Sequence, residues 1–311
     1  MAKRFIFISL ACLLFLVSAG YILTSLLKSQ PPSVILITVE SLRYDMLTSQ
    51  SSPYLYQAAH KGMRFASHRA VSGWTGSNII SLLTGLTPFA SGVHTRGQSV
   101  DPKPLLPLEL LNAAGYTVEG TQGFMMMDIY RNLGLQVNPE EADWFYSLSL
   151  LINSGNPFFS WFHYLHTHLP YETIAGYETN ISKAIDLENL SPKVISRLQQ
   201  VQKKSAIHHS QSQFLAEDVP LIHELQLSSI REFDDWFKRF WEFFVKSGLQ
   251  RNTILVLTAD HGDEHGERGL VGHASTTLAG HLYEEIIRVP LIIWLPAEVA
   301  DQFPEPDPQL I

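Results

Sequence analysis

Two stretches of this chain are continuous apolar, β-branched runs that end on an acid: VILITVE (34–40) and TILVLTAD (253–260). A strand of that composition has no polar face, so it is buried on both sides, as strands of a parallel sheet between helices are. PFFSWFHYLH (157–166) reads as a third such strand and ends among histidines. Ligands of open α/β sheets bind beyond the carboxyl ends of the strands, so the polar residues collected there mark one expected site. The fold class that follows is α/β, with a mostly parallel central sheet and helices on both faces.

Helices fill the intervals. NIISLLT (78–84) is apolar enough for a short helix packed on the sheet, with Thr75, Gly76 and Ser77 at its start and Gly85 just past its end. LPLELLNAAG (106–115) reads as helical, and Gly115-Tyr116 as the entry to a further strand. Residues 221–247 carry Phe233, Trp236, Phe237, Phe240, Trp241 and Phe244 at three- and four-residue steps, an aromatic stripe that serves core packing. The polar stretch 176–220, with Lys203-Lys204 and a surface pair His208-His209, is an excursion of helices and loop.

Residues 5–27 contain no charge, follow Lys3-Arg4 and precede Lys28 and Pro31-Pro32. As a helix they rise roughly 34 Å, enough for a hydrocarbon core of about 30 Å. Residues 1–30 are therefore expected to be a short cytoplasmic stub and a transmembrane signal-anchor, with Lys3-Arg4 holding the N-terminus inside and residues 31–311 extracytoplasmic. The alternative is secretion after signal cleavage near Val17-Ser18-Ala19; the apolar run continuing to Leu27 favours the anchor.

The chain has 22 Lys+Arg against 30 Asp+Glu, a formal net charge of −8, which gives no footprint for nucleic acid. A single cysteine, Cys12, excludes an intramolecular disulfide and a Cys-rich zinc site, which leaves 13 histidines and the acids as metal-ligand stock. In DHGDEHGE (260–267), Asp260 and His261 follow a buried strand directly and can share one divalent ion. Glu40 ends the first strand, where an unpaired buried carboxylate would be costly and a metal would compensate it. Thr75 stands at a helix start, by default an N-cap. Free N–H groups there also favour an anion, and a hydroxyl beside a divalent ion becomes a nucleophile.

Four segments in order now resemble one family. VILITVESLRYD (34–45), SGWTGSNIISLLTGLTPFASGVH (72–94), FHYLHTHLPY (162–171) and the stretch from TADHGDEHGERG to LYEEIIRVPLIIWLP (258–296) resemble the alkaline phosphatase/sulfatase superfamily, specifically its sulfatase-like hydrolases and transferases. The resemblance implies an alkaline-phosphatase-like fold and one divalent metal ion (Zn, Mn, Mg or Ca). Sulfatases use a formylglycine made from Cys or Ser within a C/S-x-P-S-R motif. Here the matching stretch is Thr75-Gly76-Ser77-Asn78-Ile79, and threonine cannot become that aldehyde. The threonine branches include phosphodiesterases and phosphoethanolamine and phosphoglycerol transferases, whose metal set maps onto Glu40, Thr75, Asp260 and His261.

The implied reaction has two steps. Thr75 attacks a phosphodiester in line to give a phospho-threonine, and water or an acceptor alcohol then takes the group. His168 and His273 match positions that the family places around the transferred group, with His281 a rival to His273. His163, His166, His265 and Arg96 are second-rank positions. The implied substrate is a phosphate or sulfate ester, such as a lipid head group or an envelope glycan, reached at a membrane. Two features depart from relatives: the Gly-Lys-Trp segment of many sulfatases is missing after Gly115-Tyr116, and the acidic, Pro-rich end stands where relatives continue into a C-terminal subdomain. Competing readings are a sulfuric or phosphoric monoester hydrolase, and an inactive relative kept as a membrane-tethered binding protein.

Overall fold

The computed structural model describes residues 30–101, 105–121, 130, 132–138, 144–169, 171, 219–273 and 280–300. In chain order its elements are β1 (Ser33–Val39), α1 (Pro53–Ala59), β2 (Met63–Arg64), α2 (Thr75–Thr84), α3 (Pro88–Ser91), α4 (Pro107–Ala113), β3 (Thr117–Thr121) and β4 (Gln136–Asn138). They continue with α5 (Trp144–Ser154), β5 (Phe158–Tyr164), α6 (Val219–Lys246), β6 (Thr253–Ala259), β7 (Glu264–His265), β8 (Val271–Gly272), α7 (Glu284–Ile287), β9 (Leu291–Trp294) and α8 (Ala297–Ala300).

One sheet has the order β2-β9-β6-β1-β5-β3-β4. β4, β3, β5, β1 and β6 run parallel, and β9 is antiparallel to β6. The three apolar runs therefore lie side by side at its centre. Residue parity sorts their two faces, since successive side chains alternate. Ile35, Ile37 and Val39, with Leu255, Leu257 and Ala259, pack with Phe233, Phe237, Phe240 and Phe244 of α6 and Leu55 of α1. Leu36 and Trp161 face the other way, onto Ile79, Ile80 and Leu83 of α2 and Leu108 of α4. Helices on both faces are what a sheet without a polar face requires. At about 1.5–3 kcal/mol for each fully buried aromatic or aliphatic side chain, the α6 stripe is a principal source of cohesion.

Two details differ from the expectation. The central strands stop at Val39 and Ala259, so Glu40 and Asp260 stand just beyond them. Thr75 is the first residue of α2 rather than its cap: Trp74 holds the cap position, with no side-chain capping bond. Starting three residues earlier than the apolar run NIISLLT, the helix places Thr75 inside the protein, where its hydroxyl has other partners. The left-handed Gly85 (φ 72°) ends α2 as expected, its N–H donating to the Ser81 carbonyl at 2.8 Å.

Among the described residues no helix is long and apolar enough to cross a membrane. The run 5–27 with Cys12, the excursion up to 218 with His208-His209, and the tail from 301 lie outside the described residues.

Candidate metal centre and nucleophile

The parallel registers bring the site together. Val39 pairs with Ala259 on one side and Tyr164 on the other, so the residues that follow emerge at a common edge. Glu40 and Asp260 have the parity of the sheet face that α2 covers, and the start of α2 adds Thr75. Thr75 Oγ1 lies 3.2 Å from Oε1 and 3.4 Å from Oε2 of Glu40, and 3.1 Å from His261 Nε2. His261 Nε2 is in turn 3.4 Å from Glu40 Oε1 and 3.3 Å from Asp260 Oδ2. All four side chains are buried, with Glu40 at 1% and Asp260 and His261 at 0% exposure.

Three observations fit this cluster to a divalent cation. Asp260 Oδ1 accepts the N–H groups of Ser41 (3.0 Å) and His261 (2.8 Å), whereas its buried Oδ2 has no hydrogen-bond partner. An orphaned carboxylate oxygen of that kind calls for a counter-charge. His261 Nδ1 lies 2.9 Å from the carbonyl of Gly262, which can only accept, so Nδ1 carries the hydrogen and the neutral ring keeps its lone pair on Nε2. Finally, ligand atoms of Glu40, Asp260 and His261 all lie within 4.8 Å of one another.

The electrostatics agree. Burial, with the adjacent Glu40 charge, raises Asp260 to about 6. Burial also opposes ionisation of Glu40, but the His163 hydrogen bond and neighbouring imidazoles outweigh it and hold Glu40 well below the usual range. Against burial, the charges of Asp260 and Glu40 raise His261. A metal ligand must be deprotonated, so an ion bound here would displace the protons that these shifts favour on Asp260 and His261.

A second layer surrounds this centre. His273 Nδ1 contacts Asp263 Oδ1 at 2.7 Å, and Asp263 Oδ2 accepts the Tyr171 hydroxyl at 2.7 Å. Burial and the nearby His261 lower His273 to about 4 although Asp263 opposes them, so the ring is neutral at neutral pH, donates from Nδ1 and leaves Nε2 as an acceptor. Its ring lies 4.0 Å from that of His261 and 5.2 Å from that of His168. His168 donates from Nδ1 to the carbonyl of Leu169 at 2.5 Å. Two further groups within 4.8 Å, Glu40/His168/His273 and His261/Asp263/His273, overlap the first.

The structure thus joins Glu40, Thr75, Asp260, His261, His168 and His273. His163 joins them from second rank, its Nε2 2.9 Å from Glu40 Oε2. Of the two rivals, His273 lies within this cluster, and the His281 ring stacks on that of Tyr283. His166 and Arg96 are exposed, and His265 is buried between Tyr171 and His223. Sequence reasoning missed Asp263, Tyr171 and Ser41. Arg43, within the segment 34–45, ties Asp45, Glu267 and the Asp263 carbonyl together and fixes the loop after β6.

The sequence model of the family described as "Sulfatase" matches residues 32–305. The chain belongs to the sulfatase family. As a member it is a hydrolase or transferase of the sulfatase-like type, a class whose fold holds a divalent metal. Solved structures share that fold. The phosphonate monoester hydrolase of Agrobacterium radiobacter is 17% identical at TM-score 0.62, over 85% of this chain and 68% of that one. A 2-O GAG sulfatase is 14% identical at TM-score 0.60, over 86% and 65%. The integral membrane lipooligosaccharide phosphoethanolamine transferase A of Neisseria meningitidis is 12% identical at TM-score 0.56, over 88% and 49%. No curated protein matches the chain by sequence.

Proposed function

We propose that this sulfatase-family chain is a membrane-anchored, metal-dependent phosphodiesterase or phosphotransferase that works through a phospho-threonine intermediate. The observation that carries the reading is the placement of the Thr75 hydroxyl within 3.1–3.4 Å of Glu40 and His261, at the position where sulfatases form their aldehyde from Cys or Ser. Glu40, Asp260, His261 and Thr75 would hold the ion, and their oxygen and imidazole donors suit zinc or manganese. A divalent ion bound there supplies positive charge that acidifies the threonine hydroxyl and offsets charge developing on the transferred group.

The chain's own residues account for the rest. Thr75 Oγ1 forms the new bond to phosphorus as the bond to the leaving alcohol breaks. The start of α2, whose first N–H groups lack helical partners, faces the anionic oxygens. His273, oriented by Asp263 and neutral, takes the Thr75 hydroxyl proton at Nε2 and delivers it to the departing oxygen, which leaves as the alcohol; His168 flanks the same group. In the second step water or an acceptor alcohol gives its proton to His273 Nε2 as it attacks phosphorus, and Thr75 Oγ1 takes that proton as its bond to phosphorus breaks.

The uncharged run 5–27 supports an anchor with a cytoplasmic N-terminus and an extracytoplasmic catalytic domain. Lipid head groups or envelope glycans then come within reach as phosphate-ester substrates. The test is turnover of bis- and mono-p-nitrophenyl phosphate, p-nitrophenyl sulfate and lipid head-group donors, with EDTA and with Thr75→Ala. Diester or donor turnover that EDTA and Thr75→Ala both abolish is expected, and turnover surviving Thr75→Ala removes the nucleophile.

A further inference from the structure

Two residues outside the proposed ligand set, Thr38 and His163, connect Glu40 to the core. The β1–β5 register pairs Thr38 with His163. Their parity, shared with Trp161 and Glu40, sets all four on the sheet face that α2 covers. The Trp161 indole can only donate, and its Nε1–H reaches Thr38 Oγ1 at 2.9 Å. Thr38 Oγ1 lies 2.7 Å from His163 Nδ1, and His163 Nε2 lies 2.9 Å from Glu40 Oε2.

The direction of the last bond follows from donor chemistry alone. A carboxylate oxygen accepts, so Nε2 carries the hydrogen in either charge state of the ring. In the neutral ring the whole relay is ordered, with Trp161 donating to Thr38, Thr38 to His163 and His163 to Glu40. The alternative acceptor for the Thr38 hydroxyl, the Phe162 carbonyl, is farther away at 3.4 Å. The His163 and Glu40 side chains are 2% and 1% exposed, so water does not compete.

This relay gives the two oxygens of Glu40 different surroundings. Oε1 meets His261 Nε2 (3.4 Å), Thr75 Oγ1 (3.2 Å) and Ser41 Oγ (3.2 Å), whereas Oε2 has its short contact with His163 (2.9 Å) and a longer one with Thr75 Oγ1 (3.4 Å). We propose that His163 is the positioning residue of the metal centre: its Nε2–H occupies Oε2 so that Oε1 is the oxygen Glu40 presents to the ion, and Thr38 with Trp161 fixes the angle of the imidazole. The inference rests on the reading of Glu40 as a metal ligand. His163 acts through Glu40 and touches no substrate.

The experiment uses the full-length protein in detergent, loaded with zinc or cobalt. Zinc affinity is read by competition with a chromophoric chelator, coordination by the cobalt absorption spectrum, and folding by the thermal midpoint of the metal-free form. His163→Leu removes the donor, and His163→Gln keeps an amide N–H near the position of Nε2. Thr38→Val removes the hydroxyl at constant shape. His163→Leu is expected to weaken zinc about 10- to 100-fold, the range for outer partners of metal ligands, and to alter the cobalt spectrum. His163→Gln should stay within about threefold of wild type and keep the spectrum, with Thr38→Val falling between.

Unchanged zinc affinity in His163→Leu, or loss in His163→Gln as large as in His163→Leu, overturns the proposal. If His163→Leu does not fold, Thr38→Val decides: wild-type affinity and spectrum in that variant overturn the proposal equally. Glu40→Ala is the separate control. If it binds zinc as tightly as wild type, the metal-centre reading itself falls and His163 has nothing to position.

Discussion

The main-chain N–H of Ser41 donates to Oδ1 of Asp260 at 3.0 Å, joining the first residues beyond β1 and β6. Ser41 does this from a left-handed backbone (φ 56°), with no exposed surface. Its hydroxyl reaches Glu40 Oε1 at 3.2 Å and its carbonyl accepts from Gln226 Nε2 of α6 at 2.9 Å. A non-glycine residue is held in that conformation only where its surroundings over-determine it. Here they are two carboxylates of the candidate centre and a buried amide from the opposite layer.

Ser41→Gly should therefore retain the backbone while losing the hydroxyl bond. Ser41→Val, β-branched at positive φ, should be less stable than Ser41→Gly by roughly 1–3 kcal/mol. Urea midpoints of the two metal-free variants give the difference; equal midpoints would contradict the strain argument.

Asp260→Asn should move stability and metal affinity in opposite directions. The folded pKa of Asp260, about 6, lies above the ordinary 3.8. The folded protein thus holds a proton there that the unfolded chain releases, and stability falls as pH rises between those values. An amide removes that penalty, of order 1–3 kcal/mol at pH 7, while its carbonyl can still accept from Ser41 and His261. The metal-free variant should melt higher than wild type above pH 6, converge with it toward pH 4, and fail to retain zinc in calorimetric titration.

Asp263→Ala should leave His273 without the partner that sets its tautomer. A drop in kcat of about 10²–10³-fold is expected with KM within about threefold, the usual scale for general acid–base groups. Tyr171→Phe, which removes only the outer hydrogen bond to Asp263, should cost less. Steady-state kinetics on the best phosphodiester substrate, with zinc content measured alongside, separates this from lost metal.

Gly262→Ala should destabilise the loop after β6. A Cβ at this position would run into the Glu285 carbonyl oxygen and lie 2.9 Å from Cγ of Arg43, while the Gly262 N–H is already bonded to the Ile286 carbonyl at 2.6 Å. The expected loss is about 2 kcal/mol or more by chemical denaturation, as for overpacked sites, together with weakened zinc binding through His261.

The three central strands and the acids that end two of them could be read directly, because a parallel sheet imposes both the unbroken apolar pattern and the clustering of polar residues at one edge. Glu40, Asp260, His261 and Thr75 were legible for that reason, helped by motif resemblance. His163 stood among three nearby histidines with no local mark to select it. A signal was present in parity: His163 follows Phe159 and Trp161 on the face that α2 covers, but using it required the register with Thr38, which is a relationship between distant segments. The partnership of Asp263 with His273, and the left-handed turn at Ser41, depend on how the loop after β6 folds back, for which no periodicity exists. Thr75 as N-cap was the default of local chemistry, overridden because buried polar partners stood within reach of its hydroxyl.

β1 enters the sheet at Ser33 and delivers Glu40 at the opposite edge, a span of roughly 23 Å at about 3.3 Å per residue. β6, paired with it residue for residue, delivers Asp260 to that same edge. The whole height of the buried sheet core therefore separates the entry of β1 from the reacting groups, and a substitution near Ser33 reaches them only through seven residues of paired strand.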